Sequence, residues 1–431
     1  MNGLETYIGA LRERCAGLPD RRTGRNGRYL MDDIGLAAFS VFFMQCPSFL
    51  AHQELLAEGP GRGRSNAHTL FGMTSIPSDN HIRAMLDGAS SNHFDPVFST
   101  IIKDIDARGG LEPMRSLGGR VLIALDGSEH FCSRRISCPH CSIRQRSDGK
   151  IEYFHSFVGA TLVAPGHKTA LPLPPEFVRP QDGHKKQDCE SVAVRRWLER
   201  VGPSVTWLNP VFLGDDLYAK QPICDAVKKA GGSFLFVCKP SSHKTLMDFL
   251  TGIELDSFTE AKGHGRNKRI HRYRWITDVP LRDGKDALYV NWLEVEITKP
   301  DGKATYRSSF VTDLPVSRAN VAELVACGRA RWKIENETFN VLKTGGYNLE
   351  HNFGHGKETL ASVLVVLNLL AFAMHAACDL VEEAWKQART RLGARVRFFE
   401  HVRSITAYHL FLSWHSLMRT IITGVPPPMP R

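Results

Sequence analysis

VLIALD, residues 121–126, is a short apolar run that ends in an aspartate and is bounded by turn residues. Such runs are typical of buried strands. Three others have the same character: FHSFVGATLVAP (154–165), VFLGDD (211–216) and FLFVCKP (234–240). Helical patterns at 188–201 and 221–230 separate the last three runs. Strands that first follow one another and then alternate with helices predict a mixed α/β sheet.

The spacing of apolar residues is different on either side of this region. Residues 1–118 show helical spacing and predict a small all-α N-terminal domain that could bind DNA. The α/β domain would span 119–360 and include a β-rich insertion at about 245–315, where residues 276–314 alternate apolar and polar side chains across a Pro-Asp-Gly turn. Residues 361–431 predict a C-terminal helical region.

The composition is that of an ordinary globular protein. The chain has 431 residues, of which 42% are hydrophobic and 23% charged, and this excludes a disordered, fibrous or disulfide-stapled small protein. The N-terminus has no apolar core after a basic start, so we expect a cytoplasmic protein whose ten cysteines are mostly reduced. The apolar run 361–377 contains Asn368 and His375 and predicts a buried helix rather than a membrane span.

The net charge of +10 favours an anionic partner, either nucleic acid or an acidic membrane. Residues 1–120 contain 13 basic and 13 acidic side chains, so the excess lies further along the chain. Two segments concentrate it, 262–274 and 386–419. We therefore expect the phosphate-binding surface in the second half of the protein, with the N-terminal region contributing only local arginine clusters.

Three acidic residues stand where ligand chemistry is often placed. Asp126 and Asp215 each end a predicted strand, and Glu335 lies on a helix in ARWKIENETFNVLK (330–343). Carboxyl ends of strands are common ligand sites, and three carboxylates could hold two Mg²⁺ or Mn²⁺ ions for phosphoryl transfer. Arg331 and Lys343 lie on roughly the same helix face as Glu335, which suits a DNA substrate. The alternatives are an ordinary turn or cap aspartate and a solvated helix with i, i+4 salt bridges.

Four blocks together resemble DDE transposases of bacterial insertion sequences: LDGSEHF (125–131), FLGDDLYAKQPIC (212–224), RWKIENETFNVLK (331–343) and GYNLEHNFGHG (346–356). They are most similar to the group with a β-strand insertion and a Tyr, Arg, Glu, Lys signature helix. The resemblance covers about residues 120–359. It implies an RNase H-like fold and cleavage and joining of DNA at terminal inverted repeats. It also implies two Mg²⁺ ions held by Asp126, Asp215 and Glu335, and DNA contacts from Arg331 and Lys343.

The signature differs from this sequence at two points. The family has six residues between Glu and Lys where seven separate Glu335 from Lys343, and Gly328 stands where the family has Tyr. Asp216 is an alternative to Asp215 as the second ligand, although Gly-Asp-x-Leu-Tyr favours Asp215. Glu337 would point away from Glu335 round the helix and is a weaker candidate.

A second cluster of candidate ligands follows the first strand. Cys138 and Cys141 have the C-x₂-C spacing of a zinc knuckle, and His155 is a natural third ligand. The fourth ligand stays open, with Cys132, His184 and Cys189 as candidates, and two thiols in a turn are the alternative to a zinc site.

Basic and aromatic side chains outside these clusters could bind DNA or be ordinary surface and core residues. The sharpest segment is KGHGRNKRIHRYR (262–274), in which Arg266, Lys268, Arg269 and Arg272 form a candidate DNA-backbone stripe. Trp275 and Trp292 could stack on a flipped base. Weaker phosphate-binding candidates are Arg21, Arg22, Arg25, Arg28, Arg62, Arg64, Arg134, Arg135, Arg144, Arg146, Lys185 and Lys186.

Three functions fit these patterns. The leading one is a Mg²⁺-dependent transposase that acts on double-stranded DNA, as a homodimer or larger synaptic complex by the family resemblance. The second is a DNA-binding protein of the same fold without catalysis, such as a domesticated copy. The third is a related RNase H-like nuclease that does not transpose.

Overall fold

The strands lie between residues 115 and 312 of a computed structural model that describes residues 3–23, 27–57, 65–180 and 189–426. In this part of the chain they are β1 (Arg115–Ser116), β2 (Arg120–Ser133), β3 (Ser142–Gln145), β4 (Ile151–Val163), β5 (Leu171–Pro172), β6 (Glu176–Val178), β7 (Pro210–Gly214), β8 (Ser233–Val237), β9 (Asp256–Lys262), β10 (Arg269–Pro280), β11 (Tyr289–Thr298) and β12 (Ala304–Thr312).

Helices precede, interrupt and follow the strands. They are α1 (Gly3–Ala16), α2 (Met31–Phe43), α3 (Phe49–Ala57), α4 (Asn66–Phe71), α5 (Asp79–Leu86), α6 (Asp95–Ala107), α7 (Glu190–Arg200), α8 (Gly202–Val205), α9 (Gln221–Lys229), α10 (Lys244–Leu250), α11 (Val321–Arg329), α12 (Asn340–Thr344), α13 (Leu360–Val381), α14 (Glu383–Leu392), α15 (Arg395–Tyr408) and α16 (Trp414–Thr423). A π-helical segment, Ile334–Phe339, lies between α11 and α12.

The strands form one mixed sheet of order β3-β4-β2-β7-β8-β12-β11-β10-β9. β2 is antiparallel to β4 and parallel to β7, and β7 is parallel to β8. The short strands β5 and β6 pair with β4, and β1 pairs with β2. All four predicted apolar runs are therefore strands, and the predicted mixed α/β architecture with C-terminal helices is confirmed.

The β-rich insertion is an extension of this sheet. Its last strand, β12, pairs with β8 in antiparallel register, and β11, β10 and β9 follow as an antiparallel series. The predicted turn joins β11 to β12, closed by the Lys299 N–H donating to the Lys303 carbonyl at 2.9 Å. Trp275 and Trp292 are 5% and 4% exposed, so both pack in the core and neither is available to stack on a base.

Helices from the two ends of the chain share one apolar core. The described residues from Gly3 to Ala107 contain helices and no strand. Phe43 of α2 contacts His375 of α13, Trp385 of α14 and Trp414 of α16. The N-terminal helices thus pack directly on the C-terminal ones.

Helix α13 is the central element of that core. Among the described residues it is the one helix long and apolar enough to cross a membrane, and most of it is buried inside the protein. Asn368 and Tyr347 are joined by a hydrogen bond of 2.9 Å, and the Tyr347 hydroxyl lies 2.7 Å from His375 Nδ1. The prediction of a buried helix is confirmed by this burial, and Asn368 and His375 each have a partner inside the protein.

Candidate functional site

The parallel pairing of β2 with β7 places Asp126 beside Asp215. Their register matches Ala124 with Leu213, and each aspartate follows two residues later. Both strands are buried because their Val, Leu, Ile and Phe side chains pack on either face of the sheet. Asp215 directly follows the end of β7, as predicted. Asp126 does not end its strand, because β2 continues to Ser133 through its pairing with β4, so that prediction was wrong. Asp126 instead lies where the parallel pairing with β7 has just stopped, which brings it beside Asp215.

Arg331 connects Asp126 to Glu335. One guanidinium nitrogen donates to Asp126 Oδ2 at 3.3 Å and to Glu335 Oε1 at 2.9 Å. The Arg331 side chain is only 10% exposed. Sequence reasoning assigned this residue to DNA contact, whereas its side chain faces the carboxylates. Its charge offsets part of theirs, and it holds Glu335 beside Asp126.

Glu335 is carried by the π-helical segment, which packs across β4. Phe339 and Phe157 have ring centroids 5.8 Å apart, and the hydroxyls of Thr338 and Thr161 are 3.4 Å apart. Single π turns inside helices are frequent at functional sites. Because this segment is anchored on the strand next to β2, Glu335 is held near Asp126.

The π segment also accounts for the additional residue between Glu335 and Lys343. In an uninterrupted α-helix a residue eight positions on would lie about 80° round the axis. An i→i+5 turn takes up roughly one residue more than an α turn, so Lys343 stays near the face of Glu335. The Lys343 ammonium forms an ion pair with Glu350 at 2.8 Å and is partly exposed.

Glu190 is a fourth carboxylate at this site, and sequence reasoning missed it. It is the first residue of α7, and the Tyr218 hydroxyl donates a hydrogen bond to its carboxylate. Its Oε2 approaches Gly127 so closely that a Cβ there would lie 2.3 Å away. An acid at the first position of a helix that follows a strand was the available signal, but it is also an ordinary helix-start residue.

The carboxylates are close enough to perturb one another. Burial raises the pKa of Asp126 to about 7, Arg331 opposes the rise, and the charges of Glu190 and Glu335 add to it. Burial also raises the pKa of Glu190, with Asp215 contributing. Crowded acids of this kind are typical of cation-binding and catalytic sites, because a bound cation relieves their repulsion.

The geometry separates Asp215 from Asp216. Asp216 Oδ1 accepts from the Lys239 N–H at 2.5 Å, and its other oxygen accepts from the Ser242 hydroxyl. His243 Nε2 lies 3.3 Å from the same carboxylate. Asp216 is therefore engaged by the loop after β8, whereas Asp215 accepts a hydrogen bond from the Leu217 N–H at 2.8 Å and its charge contributes to the raised pKa of Glu190. A cavity of about 340 Å³ opens nearby, with Gly127, Ser156 and Glu190 in its wall.

The donor set suits a hard divalent cation, since Asp126, Asp215, Glu190 and Glu335 offer carboxylate oxygens. These oxygens are more widely spread than the ligands of a single closed site. Among the described residues the one group whose ligand atoms all lie within 4.8 Å of one another is Cys138, Cys141, His155 and His355. The acidic site is thus an open arrangement.

The cysteine-histidine cluster contains all three ligands predicted from sequence. The two sulfurs are 3.8 Å apart, and His155 Nε2 lies 3.4 Å from each. His355 Nε2 lies 3.6 Å from Cys141 Sγ. None of the fourth ligands suggested by sequence is in this group: Cys132 contacts Glu152 and Arg144, Cys189 precedes α7, and His184 lies outside the described residues.

The basic segments differ in how many of their cations have partners. Arg266, Lys268 and Arg272 are exposed, Arg269 is half-buried, and none has an ion pair with a described residue. Glu152 instead pairs with three arginines of the β2–β4 loop, which are Arg134, Arg144 and Arg146. Arg25, Arg62, Arg64, Lys185 and Lys186 lie outside the described residues.

Several of the C-terminal arginines form contacts within the protein. Arg389 and Arg395 pair with Asp379, Arg403 donates to the carbonyls of Met44 and Gln45, and Arg391 donates to the carbonyl of Ile422. The expectation that these helices carry a phosphate-binding surface stays a prediction, since Asp379 offsets only one of their charges, and Lys386, Arg397 and Arg419 form no ion pair with a described residue.

Comparison with known proteins returned no relative. The sequence matches no protein-family model, and no curated protein matches it significantly.

Proposed function

We propose that the protein is a cytoplasmic DNA transposase of the DDE type, which cleaves and joins DNA at the terminal inverted repeats of an insertion sequence. The observation that carries the proposal is the grouping of Asp126, Asp215 and Glu335 beside the end of β7, from positions far apart in the chain. The order of the strands, antiparallel up to β2 and parallel from β2 to β8, supports the RNase H-like interpretation.

Each residue of the site would have a distinct role. Asp126, Asp215 and Glu335 would hold Mg²⁺, and Glu190 adds negative charge beside them. Bound there, Mg²⁺ would activate the attacking oxygen and stabilise the leaving one in phosphoryl transfer. Arg331 fixes the spacing of Asp126 and Glu335, and its charge opposes the rise in the pKa of Asp126.

The β9–β10 hairpin would bind the DNA substrate at some distance from the bond that is cleaved. Strand spacing of about 4.8 Å places β10 roughly 20 Å across the sheet from β7. Duplex DNA advances about 3.4 Å per base pair, so the hairpin would contact phosphates roughly six base pairs from the scissile bond. A homodimer or larger synaptic complex would hold two DNA ends together.

The decisive experiment is cleavage of a duplex that carries the inverted repeats flanking the gene. We expect Mg²⁺-dependent strand cleavage by the wild type, and a loss of at least about 100-fold in Asp126→Asn and Glu335→Gln, because each removes several kcal/mol of transition-state stabilisation. Glu337→Gln is the matched control on the same helix and should cleave normally. End binding should persist in all three variants.

Each other outcome has a definite meaning. Binding without cleavage by the wild type would favour a catalytically inactive DNA-binding protein. Cleavage of unrelated duplexes without strand joining would favour a nuclease. Full cleavage by both site variants would refute the assignment of the acids.

The hairpin is tested by measuring DNA affinity against salt concentration. Replacing Arg266, Lys268, Arg269 and Arg272 by alanine should weaken binding to all sequences alike. The logarithmic salt slope should fall by about one for each phosphate contact removed. The control is the double variant Arg134→Ala, Arg146→Ala, because these arginines are similarly exposed but already paired with Glu152. An unchanged slope in the fourfold variant would contradict the hairpin's role.

A further inference from the structure

Four potential metal ligands meet where two distant parts of the chain touch. Cys138 and Cys141 lie in the turn before β3, and His155 lies in β4. His355 belongs to the segment between α12 and α13, which follows the helix of Glu335. Cys141, His155 and His355 are buried, and Cys138 is half-buried.

The distances between these atoms are those of a tetrahedral site. Bond lengths of about 2.3 Å to sulfur and 2.0–2.1 Å to nitrogen give tetrahedral edges of about 3.8 Å for S···S and about 3.5 Å for S···N. The observed S···S distance is 3.8 Å, and three of the four S···N distances are 3.4, 3.4 and 3.6 Å. All the ligand atoms lie within 4.8 Å of one another. A disulfide is excluded, because its sulfurs would be about 2.05 Å apart.

The backbone around the cysteines supports the same geometry. The Cys141 N–H donates to the Cys138 carbonyl at 3.1 Å, which closes the turn. The Cys138 N–H points at Cys141 Sγ at 3.3 Å, where it would stabilise a thiolate. The turn therefore aims both sulfurs at the histidines of the other elements.

We propose that Cys138, Cys141, His155 and His355 bind one structural Zn²⁺. Two sulfur and two nitrogen ligands in a tetrahedron are typical of zinc, and four protein ligands leave no open position for substrate. This inference does not depend on the transposase proposal. It names His355 as the fourth ligand, and no spacing in the sequence connects His355 to the cysteines.

The zinc would fasten the segment after the Glu335 helix to the sheet. On one side that segment is already held by Asp87, whose carboxylate accepts N–H donors at the start of α13, from Lys357 to Leu360. On the other side the His355 ring packs on Phe131 of β2, with centroids 4.3 Å apart. Zinc would complete this attachment by joining β2's neighbour, β4, to the same loop.

The test measures metal in the purified full-length protein without DNA, so it is independent of any cleavage result. We expect about one zinc per chain by elemental analysis. Substituted Co²⁺ should show the intense visible bands of a tetrahedral site with sulfur ligands. His355→Ala and Cys138→Ser should weaken zinc binding by more than about 100-fold, beyond the effect of losing an outer-shell partner. Cys132→Ser and Cys189→Ser are matched controls that should keep wild-type affinity.

The opposite results are equally clear. Wild-type protein without zinc, an octahedral Co²⁺ spectrum, iron in place of zinc, or wild-type affinity in His355→Ala would each overturn the proposal. If the His355 variant does not fold, the wild-type metal content and Co²⁺ spectrum decide the question alone.

Discussion

The carboxylate site and the cysteine-histidine cluster differ in the charge that their side chains carry when they are buried. The carboxylate site gathers ionisable acids around Asp126, whose pKa is raised to about 7 by burial, and Arg331 offsets only part of the charge. In the cysteine-histidine cluster, burial favours the neutral forms of two groups, because it raises the pKa of Cys141 to about 11 and lowers that of His155 to about 4. A site whose carboxylates repel one another lowers the stability of the fold, and such sites are typical of catalysis. A closed set of four protein ligands is typical of a structural metal site.

The largest effect should come from replacing Asp215, in contrast to its neighbour Asp216. Asp215→Asn should reduce Mg²⁺-dependent cleavage by at least about 100-fold, through loss of a metal ligand. Asp216→Asn should cleave at close to the wild-type rate, because its contacts are with Lys239 and Ser242. Cleavage rates of the two variants measured side by side check this, and a reversed order would place the ligand at Asp216.

An intermediate effect should come from removing the metal ligand His355. Zinc present at about 1,000 times its Kd stabilises the folded state by about 4 kcal/mol. His355→Ala should therefore lower the unfolding midpoint by roughly 4 °C, measured by calorimetry in the presence of zinc. His351→Ala, a neighbouring histidine outside the cluster, is the control and should change the midpoint little. An equal shift in both variants would mean that the loop is merely packed and holds no metal.

The smallest effect is a pH-dependent one at Asp126. An aspartate with a pKa near 3.8 when unfolded and about 7 when folded binds its proton more tightly in the folded state. Its contribution to stability is complete below about pH 4 and is lost as the pH rises to about 7. Without divalent cations, Asp126→Asn should therefore be more stable than the wild type at pH 8, by about 1–3 kcal/mol, and close to it at pH 4.

Unfolding midpoints of the two proteins across this pH range check the prediction. Added Mg²⁺ should narrow the difference at pH 8, because a cation favours the ionised carboxylate of the wild type. If the difference in unfolding midpoint between the two proteins stays constant with pH, the pKa of Asp126 is not raised in the folded protein.

Local patterns in the sequence predicted the elements that depend on short-range physics. The four apolar runs became strands and 361–377 became a buried helix, because period and composition reflect which faces are buried. Asp126, Asp215 and Glu335 could be named as candidates from predicted strand ends and a helix position, although only Asp215 follows the end of its strand and Asp126 lies within β2. Cys138, Cys141 and His155 were recognisable by spacing, since they lie within one hairpin.

Only the tertiary structure decided which distant side chains meet. Glu190 reaches Gly127, Arg331 turns towards Asp126, and His355 joins the cysteines, although nothing in their local sequence distinguishes them from ordinary surface residues. The C-terminal arginines likewise found partners such as Asp379 inside the protein. The physical reason is that hydrophobic periodicity determines which face of an element is buried, whereas a carboxylate's pKa and a metal's fourth ligand depend on what the opposite face presents.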